Sequence, residues 1–418
     1  MERLHVKYLL VGGGAASVAC AAAIRSIDAS EPLMMVAQEI SRGYDRAPLS
    51  KSYLRRETTK RDLPAEPVEF YSAHRIDLRT GRRAQQLDAA RACVTLDNGV
   101  EVYYDKLLLA PGAMPRPLGL PGADLPNTFY LKTIADADRL HHAIDVSRSA
   151  AGNNRCCVIG AGLLGVEVTA SLARIGLRVD LIQSRPTPWP KIAGEQAGGF
   201  LARRLRAAGA RVRESRRAVR LEGDGRVQRV ILDDDAVVPC DFAIAAVGSR
   251  PAREILRNTP IAAEHAILVD ERGRTNIENV YAAGDAAAVF DPRFGKHRHA
   301  THWRHAAELG RICGVNMAGG EARPDSVYDA VTHYTSEVAG LTVSVWGDAR
   351  FVDHRLLRGN ALGDDGDFAE IGVDAAGRVA QVIAVDRDAE HARYEALVRD
   401  RATINGDEER LKNPTDAL

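Results

Sequence analysis

One local design occurs twice in the chain: a buried strand, a glycine turn and a helix, then a second strand. In the first copy, "VKYLLV" ends at Gly12-Gly13-Gly14, "AASVACAAAIRSI" runs with helical spacing to about Ile27, and apolar "PLMMVA" follows. In the second, "CCVIGAGLLGVEVTASLARIGLRVDLIQ" repeats the order around Gly160, Gly162 and Gly165, with Gly176 placed to stop the helix. The first glycine of such a turn permits the sharp reversal, and the second lets the backbone approach a pyrophosphate. The third packs helix on strand, and Ser17 is small enough to stand there in the first copy. A single turn would say little in a chain with 36 glycines among 418 residues. A duplicated one predicts an α/β fold with two Rossmann-like dinucleotide-binding domains. Gly12, Gly14, Ala15 and Ala16 would line one diphosphate, and Gly160, Gly162, Leu163 and Leu164 the other.

Two dinucleotides in one chain imply an electron carrier reduced by a nicotinamide. The apolar opening also invites a signal-peptide reading, but Glu2 opposes the thin basic run of Arg3 and Lys7, and three glycines would break the apolar helix. At 418 residues, two or three domains are expected. Lys plus Arg and Asp plus Glu are 56 each, a balance that argues against general attraction to nucleic acid or membranes. No apolar run is long enough to span a bilayer. The six cysteines show neither metal spacing nor a CxxC pair, which fits a reducing, cytoplasmic setting. His297, His299, His302 and His305 follow no standard ligand pattern, so no metal site is assigned.

A third segment, "TNIENVYAAGDAAAVF", reads as a strand ending at Gly284-Asp285 with a helix beginning at Ala286. An Asp there can accept from a ribityl hydroxyl, with the expected helix dipole facing the pyrophosphate.

The two glycine turns, "YDRAPLSKSYL" (residues 44–54) and "YAAGD" together resemble the two-dinucleotide flavoprotein reductases. Their branch includes the ferredoxin reductases of aromatic-ring dioxygenases, putidaredoxin reductase and apoptosis-inducing factor. The resemblance spans roughly residues 4–350 and is most specific at "RxPLSK". It implies an FAD domain in two segments, residues 1–118 and 248–327, an NAD(P) domain at 119–247, and a C-terminal α+β interface domain at 328–418. FAD would be held by the first turn and by Gln38 or Glu39 at the adenosine ribose, Glu39 being preferred. Arg46, Lys51, Ala110, Gly112, Arg116, Gly284, Asp285 and Trp303 complete its implied site. "LLLAPGAMPR" is similar to the family's "ATGxxPR" crossover, with Pro111 in place of Thr. NADH or NADPH would use the second turn with Glu167, Gln183, Ser184, Arg185 and Gly248. By the same resemblance Lys51 pairs with Glu167 and steers the nicotinamide, and Trp303 in "THWRHAAELG" lies against the flavin ring; these three are the implied catalytic residues.

Two departures matter. Gln183 replaces the carboxylate that accepts both ribose hydroxyls and repels a 2′-phosphate, with Arg185 nearby, so NADH versus NADPH stays open. "HYTSEVAG" matches a block that ordinarily reads aromatic-aromatic-Ser-acid, with Thr335 in the second aromatic place. No cysteine stands where the disulfide reductases of this scaffold carry one, so electrons are expected to leave the flavin directly. The strands and hairpin of "LTVSVWGDAR" and "FAEIGVDAAGRVAQVIAVD", and the helix "AEHARYEALVRD", carry no phosphate turn; the tail "NGDEERLKNPTDAL" reads as solvated. The resemblance implies a reductase passing electrons from NAD(P)H through FAD to a small iron–sulfur ferredoxin, as a monomer or homodimer. Arg42, Arg46 and Arg304 are candidate contacts for an acidic partner. Two alternatives remain: an NAD(P)H-responsive redox flavoprotein like apoptosis-inducing factor, and an NAD(P)H:quinone or small-molecule reductase.

Overall fold

The structure, a computed structural model, describes residues 2–149, 152–319, 325–363, 366–404 and 412–413. It forms two compact units. One comprises Met1–Asp45, Arg61–Met114 and Ser249–Ala330, the other Arg46–Lys60, Pro115–Gly248 and Val331–Leu418.

In the first unit the run Tyr8–Val11 is buried on both faces, as the inner strand of a parallel sheet must be. Strand Arg3–Val11 pairs in parallel with Leu33–Ala37 on one side and Glu101–Leu109 on the other. Ile76–Thr80 extends the sheet beyond Leu33–Ala37, the antiparallel pair Cys93–Leu96 and Ala84–Asp88 lies beyond Glu101–Leu109, and Val280–Ala282 joins the end of Glu101–Leu109 in parallel. Helix Ala15–Arg25 follows the first glycine turn and packs on helix Trp303–Ala318. That packing depends on Gly310 and Gly314. A Cβ at Gly310 would lie 2.1 Å from the carbonyl oxygen of Ala16, and one at Gly314 2.4 Å from that of Cys20.

The expected helix at Ala286 does not form. Gly284–Ala286 make a single 3-10 turn, and strand Ala287–Asp291 follows at once. The segment "AAVF" is apolar throughout and carries β-branched and aromatic residues, and its pairing with Ile267–Val269 and Lys296–Arg298 outweighs the helix propensity of three alanines.

The second unit repeats the first. Its parallel sheet runs Arg211–Arg213, Arg178–Ile182, Arg155–Ile159, Phe242–Ala245, Thr128–Phe129. The first four strands stand in the same order as Ile76–Thr80, Leu33–Ala37, Arg3–Val11 and Glu101–Leu109. Helix Leu163–Arg174 ends in a Schellman turn: Gly176, at φ +89°, donates to Ala173 O, and Leu177 N donates to Leu172 O at 3.0 Å. A five-stranded antiparallel sheet, in the order His333–Val338, Leu341–Gly347, Val379–Val385, Phe368–Val373, His354–Gly359, forms the C-terminal part. Helix His391–Arg399 packs on it through Tyr394 and Val398. Glu370 of this sheet, almost wholly buried, accepts from Gly194 N at 2.7 Å and Ala197 N at 3.2 Å. It thereby caps helix Glu195–Ala207, whose own N-cap, Gly194, has no side chain to do so. The tail from residue 405 lies outside the described residues except for 412–413.

Candidate dinucleotide and nicotinamide sites

The two glycine turns share one hydrogen-bond plan. Gly12 N donates to Val36 O, Ala110 N to Val11 O, and Val18 N to Gly14 O. Gly160 N donates to Ile182 O, Ala246 N to Ile159 O, and Val166 N to Gly162 O. Gly12 (φ +123°) and Gly160 (φ +106°) face a neighbouring strand end, where a Cβ would lie 2.0 Å from Ala110 O and 2.5 Å from Ala246 O. No residue that carries a Cβ fits either place.

Gly14 and Gly162 differ from these. A Cβ at either would meet nothing within 4 Å, so each backbone borders open space at a helix start. Neither helix has a side-chain cap or an acidic residue in its first turn. The first N–H groups are thus left for an anion, and the helix dipole favours one. Both turns fit the diphosphate of a dinucleotide. Ala15 is half-buried and Ala16 buried in the first; Leu163 and Leu164 are half-buried in the second. At the third position a Cβ on Gly165 would lie 1.8 Å from Gly160 O, whereas Ser17 is accommodated, fully buried, with a hydroxyl that has no partner among the described residues.

In the first unit, Gln38 is exposed just past strand Leu33–Ala37, and half-buried Glu39 accepts from the Tyr44 hydroxyl at 2.6 Å. Ala110 is buried beneath Gly12, and the Gly112 carbonyl accepts from Ala252 N. Gly284 takes φ +70° in its 3-10 turn, and the Asp285 carbonyl bonds to the His299 ring at 2.9 Å. Trp303 is 46% exposed, so it is not a core residue; the Arg304 guanidinium lies 5.5 Å from its ring centroid. The other histidines also have structural contacts. His302 caps the helix, and His297 meets Phe290 edge-on. His305 bonds to the Tyr328 hydroxyl at 2.7 Å, and burial, with Arg298 adding to it, lowers its pKa to about 3. Among the described residues no group of His, Cys, Asp and Glu could hold a metal ion.

In the second unit, "APLS" forms a 3-10 turn with Pro48 near its start. Lys51 follows, and its ammonium meets Glu167 Oε1 at 2.7 Å. Glu167 is buried on the helix that leaves the second glycine turn. Ser50 donates to its other oxygen at 2.6 Å, and Ser336 donates to Oε1 at 2.7 Å. Neither serine was singled out from the sequence. Ser50 adjoins the PLSK lysine and Ser336 lies in "HYTSEVAG", but their common partner is set by tertiary folding. Tyr53, whose phenol burial pushes up, donates to Asp138 at 2.7 Å and pins the segment to helix Ile134–Arg148. Arg46 donates to Lys132 O, and Arg116 N donates to Gly248 O, with Gly248 at φ +105°. Gln183 ends strand Arg178–Ile182 almost wholly buried, and neither of its amide atoms has a partner among the described residues. Ser184 and Arg185 beside it are exposed.

The family model for pyridine nucleotide-disulphide oxidoreductases matches residues 6–310. The chain belongs to that family. This oxidoreductase is 30% identical over 352 residues to the ferredoxin–NAD(+) reductase component of the biphenyl dioxygenase system of Paraburkholderia xenovorans (strain LB400), covering 84% of this chain and 83% of the relative. It is 32% identical over 324 residues to human apoptosis-inducing factor 3, covering 76% of this chain and 52% of that one. The structure of the ferredoxin reductase for the CYP199A2 system from Rhodopseudomonas palustris superposes with a TM-score of 0.89 at 25% identity, covering 97% of both chains. Oxidoreductases of this kind use FAD and NAD(P)H. All six cysteines here are free and buried, and burial raises the thiols of Cys20, Cys156 and Cys313, which leaves no reactive dithiol in the oxidised or reduced sense. Among the described residues no helix is long and apolar enough to cross a membrane.

Proposed function

We propose that this oxidoreductase is a ferredoxin reductase, taking electrons from NAD(P)H and delivering them one at a time to a small iron–sulfur protein, in the cytoplasm. The observation that carries the reading is the duplicated glycine turn. Two diphosphate-ready helix starts, one in each unit, provide for two dinucleotides in one chain, and the absence of a reactive dithiol removes the cysteine relay. Bound FAD supplies the conversion of a two-electron hydride into single electrons.

The chain's own residues have separable tasks. Gly12, Gly14, Ala15 and Ala16 receive the FAD diphosphate, with Glu39 or Gln38 at its ribose. Arg46, Gly112, Arg116, Gly284 and Asp285 serve the rest of that cofactor, and Trp303 offers a flat face for an aromatic ring. Gly160, Gly162, Leu163 and Leu164 receive the NAD(P)H diphosphate, with Gln183, Ser184 and Arg185 at its ribose and Gly248 nearby. Lys51 and Glu167 serve the nicotinamide: the ammonium binds, and the carboxylate holds it in place.

Cytochrome c reduction by NADH or NADPH tests the reading. Turnover should require an added [2Fe–2S] ferredoxin. Equal turnover with a quinone and no ferredoxin would replace this reading with that of a quinone reductase.

A further inference from the structure

Glu167 accepts three hydrogen bonds, and two come from neutral hydroxyls. Oε1 takes Lys51 Nζ and Ser336 Oγ, each at 2.7 Å, and Oε2 takes Ser50 Oγ at 2.6 Å. Ser50 and Ser336 are 4% and 2% exposed. An ammonium is a point charge that sets a distance but leaves the plane of its partner carboxylate undetermined. Hydroxyls on both oxygens determine that plane, and so where the lysine must stand. Among the described residues Glu167 is the partner of the Lys51 ammonium, which leaves donors on Nζ for a ligand.

The serines are themselves held. Ser171 donates to Ser50 O at 2.7 Å, and Arg55 donates to Ser171 Oγ at 3.2 Å and to Glu337 at 3.3 Å. Glu337 adjoins Ser336, so the bonds close a ring through the PLSK turn, helix Leu163–Arg174 and strand His333–Val338.

We propose that Ser336 is a positioning residue for the nicotinamide step: its hydroxyl, with that of Ser50, orients the Glu167 carboxylate and thereby places Lys51. The proposal rests on the reading that Lys51 and Glu167 serve the nicotinamide.

The test uses the FAD-loaded protein with Ser336→Ala, Ser336→Thr, Ser336→Val, Glu167→Gln and the Ser336→Ala/Glu167→Gln double variant. Anaerobic flavin reduction, NAD(P)+ binding by calorimetry and thermal midpoint are measured for each. Ser336→Ala should slow limiting reduction about tenfold, the effect of one hydrogen bond to a charged group. Its coenzyme dissociation constant should stay within about twofold, and its thermal midpoint near the parent's, because the bond orients rather than binds. Ser336→Thr should recover most of the rate and Ser336→Val, its isostere without the hydroxyl, should not. In the Glu167→Gln background Ser336→Ala should add nothing. Parent rates in Ser336→Ala and Ser336→Val beside a slow Glu167→Gln would overturn the positioning role alone. Parent rates in Glu167→Gln would overturn the reading beneath it. A Ser336→Ala loss that adds fully to that of Glu167→Gln, or that follows a fall in thermal midpoint, would mark a packing role and overturn the proposal as well.

Discussion

With Gln183 at the coenzyme ribose, as proposed, that one side chain would set the preference between NADH and NADPH. A glutamate at the end of that strand would accept from ribose hydroxyls and repel a 2′-phosphate; the amide repels nothing. Exposed Arg185 follows two residues on. Gln183→Glu should therefore shift the ratio of kcat/KM values toward NADH by about tenfold, measured with both coenzymes. An unchanged ratio would place the discrimination elsewhere. His305 makes a second residue-scale prediction. It is neutral in the fold, with a pKa of about 3, and takes up a proton near pH 6.5 once unfolded. Its share of stability is thus full above about pH 6.5 and lost as pH falls from there toward 3. His305→Asn should flatten that acid limb in thermal midpoints recorded against pH. At this scale the sequence exposed what a motif holds in one place: the two glycine turns and the pairing of Lys51 with Glu167. It hid Ser50 and Ser336, because their bonds to Glu167 join residues 117 and 169 positions apart.

Among the elements, strands and helices with strong apolar periodicity were legible. The strands around both glycine turns, the stop at Gly176 and the hairpin between Phe368–Val373 and Val379–Val385 all stand where composition placed them. The segment after Asp285 was not, because its conformation is decided by partner strands distant in sequence. Two elements carry predictions. Gly310→Ala should cost at least about 2 kcal/mol, since the new methyl meets the backbone of Ala16. Loss of bound flavin should accompany it, read from the ratio of visible to ultraviolet absorbance, because Ala16 belongs to the first glycine-turn helix. Glu370→Gln should cost about 3 kcal/mol in denaturant unfolding, because Arg355, bonded to that carboxylate at 2.8 Å, would lose its counter-charge where the helix cap is also weakened. An unfolding midpoint equal to the parent's would show that the cap contributes little.

For the molecule as a whole, the duplication decides the account. Four strands recur in the same order and three turn hydrogen bonds recur in the same places, so each unit has one helix start that fits a diphosphate. Zero formal net charge leaves long-range attraction to local patches, among them exposed Arg42 and Arg304. Reaction with an acidic ferredoxin should consequently weaken as salt rises, while reduction of the flavin by NAD(P)H should change little. The most direct test of the central claim is anaerobic rapid mixing of the FAD-loaded protein with NADH and, separately, NADPH, following bleaching of the flavin near 450 nm and then adding oxidised [2Fe–2S] ferredoxin. Bleaching is expected faster than about one per second with at least one coenzyme, followed by prompt reoxidation by the ferredoxin. Slower bleaching with both, or a reduced flavin that ferredoxin leaves untouched, would contradict it.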